Sequence, residues 1–421
     1  MREKASILVG LLWCLALLSV AVLGILHTSR MDLLVVKHYG DRIQAHYLAL
    51  AGVERAKALL YRDSVSRRKS GKNHTGSLYD DDVDFHDVKL GRGKISVGHG
   101  YPATYGIIDE ESRINVNTAS TEVLTKIEGL TPDIATAISD WRGASNQVSA
   151  GGAGIDYYMS LIPPYLPRNG PIQTLRELLM VRGVTRQLLL GEGDPHSSVD
   201  DSDEQLPTEN GWAPLLTVDS KDDNVNASGT ARVDIKTADQ NALAQVEGIT
   251  PAIARAIVNW QNRGNFQSIA DLLDVTGQGG GQQNLGGGGN GSRVIDHDLL
   301  MRIADSLTVG TDTSQQGLIN INTASFDVLR CLPGMGEARA RAIISHRQSN
   351  GFFANVAELL KVDGMTDDVL KQVAPLLTAR SETFRVISEG RIASTGTRQR
   401  IQAILHVGSK EIQTLSYRED L

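Results

Sequence analysis

The stretch INVNTASTEVLTKIEGLTPDIATAISDWR, residues 114–142, decides the fold because the chain contains it in three variants. It returns as VDIKTADQNALAQVEGITPAIARAIVNWQNR at residues 233–263 and as ININTASFDVLRCLPGMGEARARAIISHR at residues 319–347. In each copy a short apolar helix ends at a glycine, and a second helix starts two residues later. The sequence therefore predicts a repeated pair of helices, with turns at Gly129, Gly248 and Gly334.

A second helical segment follows each copy: TLRELLMVRGVTRQLLL, SIADLLDVTG and NVAELLKVDGMTDDVLKQVAPLLT. We predict three helix-hairpin-helix units, at residues 114–190, 233–308 and 319–378, that form one all-α domain over residues 114–378. Residues 194–223 hold nine acidic residues and one lysine, which is typical of a solvated linker, here placed at residues 191–232. The Gly-rich run at residues 277–292 predicts a flexible loop.

The residue that opens the second helix decides whether such a hairpin can hold a phosphate. Free backbone N–H groups at a helix N-terminus bind phosphates, and a glycine there leaves them uncovered. The first two copies carry Thr131 and Thr250, each followed by proline, so that the hydroxyl is expected to cap the first turn. We interpret these turns as structural. The third copy has Gly334 and Gly336 and is the one candidate for nucleic-acid binding.

Charge argues against nucleic acid even at the third copy. The chain has a net charge of −7, and residues 319–378 contain six Lys or Arg and six acidic residues. Binding DNA at physiological salt requires several uncompensated cations. In addition, Glu337 directly follows Gly336 and places a carboxylate beside the proposed phosphate.

The N-terminus predicts a membrane helix, because residues 6–26 carry no charged side chain and about 20 such residues cross a bilayer. Arg2 and Lys4 precede this run, so the N-terminus is expected to stay cytoplasmic. An uncleaved anchor is one interpretation. The alternative is cleavage after Ala5, as in type IV pilins and type II secretion pseudopilins. Residues 1–5 would then be a leader, Ser6 the new N-terminus and Gly10 the fifth mature residue, where such proteins usually carry glutamate.

Helical spacing of apolar residues continues beyond the membrane run and predicts a helix that reaches Arg62. Two short strands are expected between Gly93 and Asp109, and strand-like alternation returns only after residue 378. Since an isolated hairpin is marginal, we expect the strands on both sides of the repeats to share one sheet. The predicted fold is α+β. A long N-terminal transmembrane, pilin-like helix packs on a small antiparallel sheet, and a large all-α domain is inserted. Residues 27–113 supply the outer part of this helix and the first strands, and residues 379–421 supply the C-terminal strands that complete the sheet.

Catalytic and metal-binding motifs are not evident in the sequence. It contains no nucleophile elbow or phosphate loop, and the ten histidines show no metal-ligand spacing, so we expect a protein that is not an enzyme. The carboxylates of DDDVDFHD, residues 80–87, are of the type that binds calcium. Because no EF-hand glycine turn accompanies them, a solvated loop is the favoured interpretation.

Four stretches together resemble the minor pseudopilin K of type II secretion systems, also called general secretion pathway protein K. They are SILVGLLWCLALLSV at the start, HYLALAGVERAKALLYRD, the entry IIDEESRINVNTAS, and the ending FRVISEGRI with RQRIQAIL. The resemblance covers nearly the whole chain. The departures are Ala5 in place of glycine, the third hairpin unit with its acidic linker, and the Gly-rich loop.

The resemblance implies a single-pass protein of the bacterial inner membrane with a periplasmic soluble domain. It implies cleavage and N-methylation at Ser6 by the prepilin peptidase, and assembly with minor pseudopilins of the I and J types at the pseudopilus tip. It also implies contact with other secretion components and a role in exporting folded proteins. Calcium binding is a family property, with no ligands assigned here, and no other cofactor is implied. The alternative function is a membrane-anchored receptor for DNA uptake.

Overall fold

The computed structural model describes residues 2–70, 78–99, 104–144, 148–191, 211–262, 264, 266–277, 293–408 and 411–419, with side chains of the first helix from residue 10 onward. Its α-helices are α1 (Arg2–Ser70), α2 (Asp82–Phe85), α3 (Thr121–Leu124), α4 (Pro132–Arg142), α5 (Ile155–Met159), α6 (Arg186–Leu190), α7 (Gln240–Ala244), α8 (Pro251–Gln261), α9 (His297–Ile303), α10 (Phe326–Arg330), α11 (Gly336–Asn350) and α12 (Asp367–Val373).

The strands within the same residues are β1 (Val88–Leu90), β2 (Gly93–His99), β3 (Thr104–Tyr105), β4 (Ile108–Asp109), β5 (Ile114–Asn115), β6 (Leu216–Thr217), β7 (Val233–Asp234), β8 (Leu307–Thr308), β9 (Ile319–Asn320), β10 (Leu377–Thr378), β11 (Thr383–Ile392), β12 (Arg398–Val407) and β13 (Ile412–Glu419). Short 3-10 helices lie at Glu110–Ser112, Leu175–Met180, Ile269–Asp274, Ala304–Ser306, Val356–Lys361 and Ala374–Leu376.

Helix α1 has two halves of different character. Its described part up to Leu26 is exposed and apolar, and Trp13 is 67% exposed. From Ala45 onward, buried residues recur every three or four positions, which is the spacing of one helix face: Ala45, Leu48, Ala49, Val53, Ala56, Leu59 and Leu60. The helix extends eight residues beyond the predicted end at Arg62, to Ser70. Ser64 is buried in this extension, so the added turns still contact the rest of the protein.

The main sheet is antiparallel and has the order β1-β2-β11-β12-β13. Strand β2 precedes the hairpin repeats and β11 follows them, yet the two lie side by side with Val97 opposite Ser388. Strand β4 pairs with the start of β11, so that Asp109 lies opposite Phe384. The predicted α+β architecture, with one sheet formed by segments on both sides of a helical insert, is therefore confirmed.

A pair of two-residue parallel strands closes each hairpin unit: β5 with β6, β7 with β8, and β9 with β10. These strands could not be predicted from the sequence, because two residues are too few for a periodic pattern. The first unit consequently runs to Thr217 and not to residue 190. The segment predicted as a solvated linker is therefore folded in its second part, where Trp212, Leu216 and Asp222 are buried. Residues 192–210 of that linker, and 278–292 of the Gly-rich loop, lie outside the described residues.

Two hydrophobic cores are separate in sequence. The buried members of one core all lie between Ile114 and Ala379 and fill the hairpin units. The buried members of the other come from α1, from residues 78–107 and from β11 and β12. The insert thus has its own core, and it meets the sheet through the polar segments described next.

Candidate functional site

The three hairpin turns share a glycine with positive φ. Gly129, Gly248 and Gly334 have φ of 77°, 98° and 66°, a region that glycine enters at little cost. The helices that follow begin differently. The hydroxyls of Thr131 and Thr250 accept hydrogen bonds from the third backbone N–H of α4 and α8, at 3.4 and 3.3 Å. These two helix starts are capped by their own side chains.

Helix α11 of the third unit starts at Gly336, with φ of 61°, and has no side-chain cap. Its first-turn amides are therefore the ones that a phosphate could approach. Cations near them are engaged, however. Arg341 lies 3.0 Å from Glu337, and Arg339 donates to the carbonyl oxygens of Gly334 and Gly364 at 2.7 and 2.8 Å.

The remaining cations of the third unit also have partners. Arg347 donates to two backbone carbonyl oxygens, and the other three form ion pairs, namely Arg330 with Asp327, Lys361 with Glu358, and Lys371 with Asp274. This agrees with the balanced charge of the unit and leaves no surplus of cations around Gly336 in the described residues. A phosphate there would have to displace existing contacts.

In each hairpin unit, one side chain at an equivalent position donates hydrogen bonds to two backbone carbonyl oxygens, and the sequence patterns did not predict this contact. Arg142 donates to the carbonyl oxygens of Val116 and Ala119. The equivalent residues of the other copies, Gln261 and Arg347, donate likewise to Ile235 and Ala238, and to Asn322 and Ala324. Burial lowers the pKa of Arg142, and lowers that of Arg347 to about 10. The signal was available as the aligned triplets DWR, NWQ and SHR.

Buried carboxylates join the insert to the sheet. We call residues 109–113, 219–223 and 380–385 the junction. Asp109, Glu110 and Glu111 are all buried where the chain leaves the sheet. One oxygen of Asp109 accepts hydrogen bonds from Asn320 at 3.1 Å and from Ser381 at 2.5 Å. Asp109 therefore links a main-sheet strand to the third hairpin unit.

Glu110 and Glu111 hold the other two segments of the junction. Glu111 accepts hydrogen bonds from the backbone N–H groups of Lys221 and Thr383, both at 3.2 Å. Glu110 is completely buried, and its Oε1 lies 2.7 Å from Nε of Arg385. Burial raises the pKa of Glu111 well above its ordinary value, and the neighbouring charge of Asp109 adds to that effect.

Two arginines, of which Arg380 is buried and Arg232 half-buried, extend this network into the second hairpin unit. Arg380 lies 2.8 Å from Asp305, and Arg232 lies 3.5 Å from Asp222. Arg380 also donates to the carbonyl oxygen of Val225. The second and third units and the sheet are thus connected through paired charges. A buried charge that loses its partner is strongly destabilising, so this arrangement favours one orientation of the insert.

Within the described residues, one group of His, Asp and Glu side chains places three potential metal ligands together. One ligand atom from each of Asp223, Glu382 and His406 lies within 4.8 Å of the other two. Burial, with the charge of Asp222 second, raises the pKa of Glu382 to about 7. Burial lowers the pKa of His406. The three are far apart in sequence, so spacing could not have revealed the group.

Three carboxylates of the acidic run at residues 80–87 contact other groups of the protein. Asp81 accepts hydrogen bonds from two backbone N–H groups and caps α2. Asp84 lies 2.6 Å from Arg55, and Asp87 lies 2.5 Å from Lys94. These carboxylates do not converge, whereas calcium requires six to eight converging oxygen ligands.

The N-terminal predictions concern a region of which only part is described. Ala5 and Ser6 lie within α1, but their side chains fall outside the described residues. Gly10 is described and exposed, and a Cβ atom added there would have no atom within 4 Å. From Gly10 to Ser70, α1 is long and apolar enough at its start to cross a membrane once. This suits a single-pass anchor.

Fold and site together define a membrane-anchored α+β protein with a helix-hairpin-helix insert. Residues 113–190 match the family model of the type II secretion system protein K. Residues 228–280 and 314–378 match the model of the helix-hairpin-helix motif. The match over residues 113–190 supports a place in the type II secretion protein K family, which the resemblance in sequence predicted.

The curated relatives match part of the chain. Endonuclease/exonuclease/phosphatase family domain-containing protein 1 of Rattus norvegicus is 28% identical over 153 residues, covering 34% of this chain and 27% of that protein. ComE operon protein 1 of Bacillus subtilis (strain 168) is 32% identical over 73 residues, covering 17% of this chain and 36% of that protein. The matches thus span about a quarter to a third of these relatives.

Among solved structures, the crystal structure of the GspK–GspI–GspJ complex from the enterotoxigenic Escherichia coli type 2 secretion system is similar to this chain. The TM-score is 0.45 and the sequence identity 13%, with 94% of this chain and 99% of that chain covered.

Proposed function

We propose that this protein is a minor pseudopilin of a type II secretion system. It assembles with minor pseudopilins of the I and J types into the tip of the pseudopilus and supports the export of folded proteins. One observation carries the proposal: the segment that matches the protein K family is attached to a helix that begins as a membrane anchor and ends as the packing helix of an antiparallel sheet. The role is one of assembly and not of catalysis.

A place at the tip is supported by Gly10 and by the insert. A carboxylate in the membrane is expensive unless a neighbouring subunit neutralises it, and a tip subunit has no subunit above it. Gly10 at the fifth mature position avoids that cost. The insert of hairpin units would also obstruct the addition of further subunits on its side. The N-terminus lies in the cytoplasm and the soluble part in the periplasm.

Processing provides the test of this proposal. The chain is produced in two matched strains, with and without a functional prepilin peptidase, and its N-terminus is identified by sequencing and mass spectrometry. We expect N-methylated Ser6 in the first strain and Met1 in the second. Co-purification with I- and J-type pseudopilins is then measured from the first strain. Met1 retained in both strains, together with no co-purification, would overturn the proposal in favour of an uncleaved scaffold.

A DNA receptor for uptake is the second candidate, favoured by the matches to the hairpin motif and to ComE operon protein 1. The uncapped start of α11 is the geometry that could serve it. Filter binding of labelled duplex DNA to the detergent-solubilised chain separates the two functions. We expect no salt-sensitive binding at micromolar protein. Micromolar binding that falls with salt and is lost in Gly336→Glu would establish the second candidate.

A further inference from the structure

Asp223, Glu382 and His406 come from three segments that meet at the edge of the junction. Glu382 directly precedes β11, and His406 lies on β12, where it is paired with Thr383. The backbone N–H of Val407 donates to the carbonyl oxygen of Glu382 at 2.7 Å, so the sheet fixes these two residues relative to each other. Asp223 belongs to residues 219–223, the segment of the junction that precedes the second hairpin unit.

Backbone hydrogen bonds hold Asp223, the third residue of the group, in place. The N–H of Asp223 donates to Oε2 of Glu382 at 2.6 Å. The preceding Asp222 forms two backbone hydrogen bonds with Gln315, at 2.9 and 2.8 Å. These hydrogen bonds hold the segment that carries Asp223 against Glu382 and Gln315.

The imidazole of His406 has a polar neighbour at each of its two nitrogens. Its Nδ1 lies 3.4 Å from Oγ1 of Thr383, and that hydroxyl already donates to the carbonyl oxygen of Lys221 at 3.2 Å. Nε2 of His406 lies 3.0 Å from Oδ1 of Asp223, a separation that either a shared proton or a shared metal ion can bridge. Nζ of Lys221 lies 3.5 Å from the same oxygen. A metal ion bound here would replace the shared proton and the contact with Lys221.

Burial and spacing fit a small divalent ion. The side chain of His406 is 2% exposed and that of Asp223 is 24% exposed, so the group is covered on the sheet side and open to water on the other. Two ligand atoms bound tetrahedrally to zinc at about 2.0 Å are separated by roughly 3.3 Å, close to the distance of 3.0 Å between Nε2 and Oδ1.

We propose that Asp223, Glu382 and His406 bind one Zn²⁺ ion. An imidazole with two carboxylates is a donor set that zinc accepts, whereas calcium takes six to eight oxygen ligands. Thr383 orients the imidazole through Nδ1, as outer hydrogen-bond partners do at zinc sites. The ion would fasten the segment 219–223 to β11 and β12, and hence the helical insert to the sheet.

The test uses the full-length, untagged chain in detergent, freed of metal by chelation and dialysis. Zn²⁺ binding is measured by calorimetry, and Co²⁺ is added as a spectroscopic probe. We expect about one Zn²⁺ per chain, the absorption bands of tetrahedral Co²⁺, and an increase in melting temperature that EDTA reverses. A wild-type chain that binds no Zn²⁺, or that binds Ca²⁺ in its place at this group, would overturn the proposal.

Two substitutions locate the site. His406→Gln and Glu382→Gln are expected to weaken Zn²⁺ binding at least 10-fold, the lower end of the effect of losing even an outer-shell partner. The matched control is His297→Gln. His297 also faces a carboxylate, Asp367 at 2.8 Å, but the third neighbour is the cation Arg293. The control is expected to bind Zn²⁺ like the wild type. Equal binding by His406→Gln and wild type would refute the assignment, and circular dichroism verifies that each variant is folded.

Discussion

At the scale of single residues, the ion pair of Glu110 and Arg385 is the contact of the junction that tolerates substitution least. Glu110 is completely buried, and Arg385 is 15% exposed. The guanidinium and carboxylate are 2.7 Å apart at Nε, and Nη2 donates to Oε2 at 3.1 Å. The contact of Nη2 with Oε2 is a hydrogen bond, whereas Nε and Oε1 are close as opposite charges without hydrogen-bond geometry. Removing either charge leaves the other buried and uncompensated.

We predict that Arg385→Met lowers the free energy of unfolding by about 3–5 kcal/mol, because the charge of Glu110 remains without its partner. The double variant with Glu110→Gln should recover a large part of this loss, since neither charge is then present. Urea unfolding followed by circular dichroism measures both. Additive losses in the double variant would show that the two side chains do not interact.

A second prediction concerns Asp219 and pH. Burial raises its pKa from 3.8 to about 6, and the charge of Glu110 adds to the increase. Between about pH 4 and 6 the folded chain therefore retains a proton that the unfolded chain has lost, and stability falls as pH rises through this window. Asp219→Asn should remove this fall and be more stable than the wild type above pH 6, by on the order of 1 kcal/mol.

The measurement for Asp219 is the difference between wild type and variant in unfolding free energy, taken at intervals from pH 4 to pH 7. The difference is used because Asp109 and Glu111 also have raised pKa values and titrate in both proteins. Parallel profiles with a constant offset would contradict the prediction.

The residues of the junction mark the limit of what the sequence revealed. The DEE run after Ile108 was visible as part of a family-like stretch, but its partners lie more than 100 residues away, as with Glu111 and Lys221 or Asp109 and Ser381. Local patterns carry no information about such contacts. These long-range contacts depend on how the chain returns from the insert to the sheet, which is determined by the packing of the whole domain.

At the scale of secondary structure, the sequence was most informative where a chemical signal is local. The threonine–proline starts of α4 and α8 were predicted from the residues that cap them, and the hydroxyls lie where the prediction placed them. The end of α1 was harder to predict, because residues 63–70 contain a single apolar residue, Val65, and so show no apolar stripe. Likewise the second half of each unit opens as a 3-10 helix, which an apolar pattern does not distinguish from an α-helix.

We predict that Thr131→Ala and Thr250→Ala each lower stability by about 1 kcal/mol, the usual effect of losing an N-cap hydroxyl. The matched control is Thr136→Ala, in the exposed interior of α4. Its hydroxyl donates to the carbonyl oxygen of Pro132 and caps no N–H group, so alanine there should be neutral or slightly stabilising. Thermal unfolding compares the three. A control as damaging as the cap variants would refute the assigned role.

The contact of α1 with the sheet gives a further prediction at this scale. A Cβ at Gly390 of β11 would lie 2.1 Å from the carbonyl oxygen of Ala45 and 2.5 Å from the backbone nitrogen of Ala49. Gly390→Ala should therefore force α1 away from β11 and destabilise the protein by about 1–3 kcal/mol or more.

Gly40→Ala is the control for that substitution. Gly40 lies in α1, the helix that packs against Gly390. No atom lies within 4 Å of its Cβ position, and alanine in a helix interior is favoured over glycine by roughly 0.5–1 kcal/mol. The two variants should thus shift the melting temperature in opposite directions. A shift of the same sign and size in both would mean that close backbone approach does not hold α1 on the sheet.

At the scale of the whole molecule, the two hydrophobic cores define two parts with a polar boundary. All buried apolar members of the sheet core lie outside residues 110–383, and those of the insert core lie within 114–379. The boundary consists of paired charges and hydrogen bonds, which become hydrated when they separate, so it fixes orientation more than it adds to stability. This division supports the proposed role of the insert as a block carried by a smaller anchoring unit.

The last prediction tests this division directly. Asp109 and Phe384 are neighbours in adjacent antiparallel strands, so replacing residues 110–383 by Asn-Gly would join them through a two-residue hairpin. We expect the shortened chain to retain α1 and the sheet, because its core loses no buried apolar residue. Hydrogen exchange in detergent should show protected amides in β2, β11 and β12. The control adds Val386→Asp, which buries an unpaired charge in that core and should abolish the protection. Unprotected amides in the shortened chain itself would show that the sheet needs the insert to fold, and the insert would then be part of the pilin-like unit and not a block carried by it.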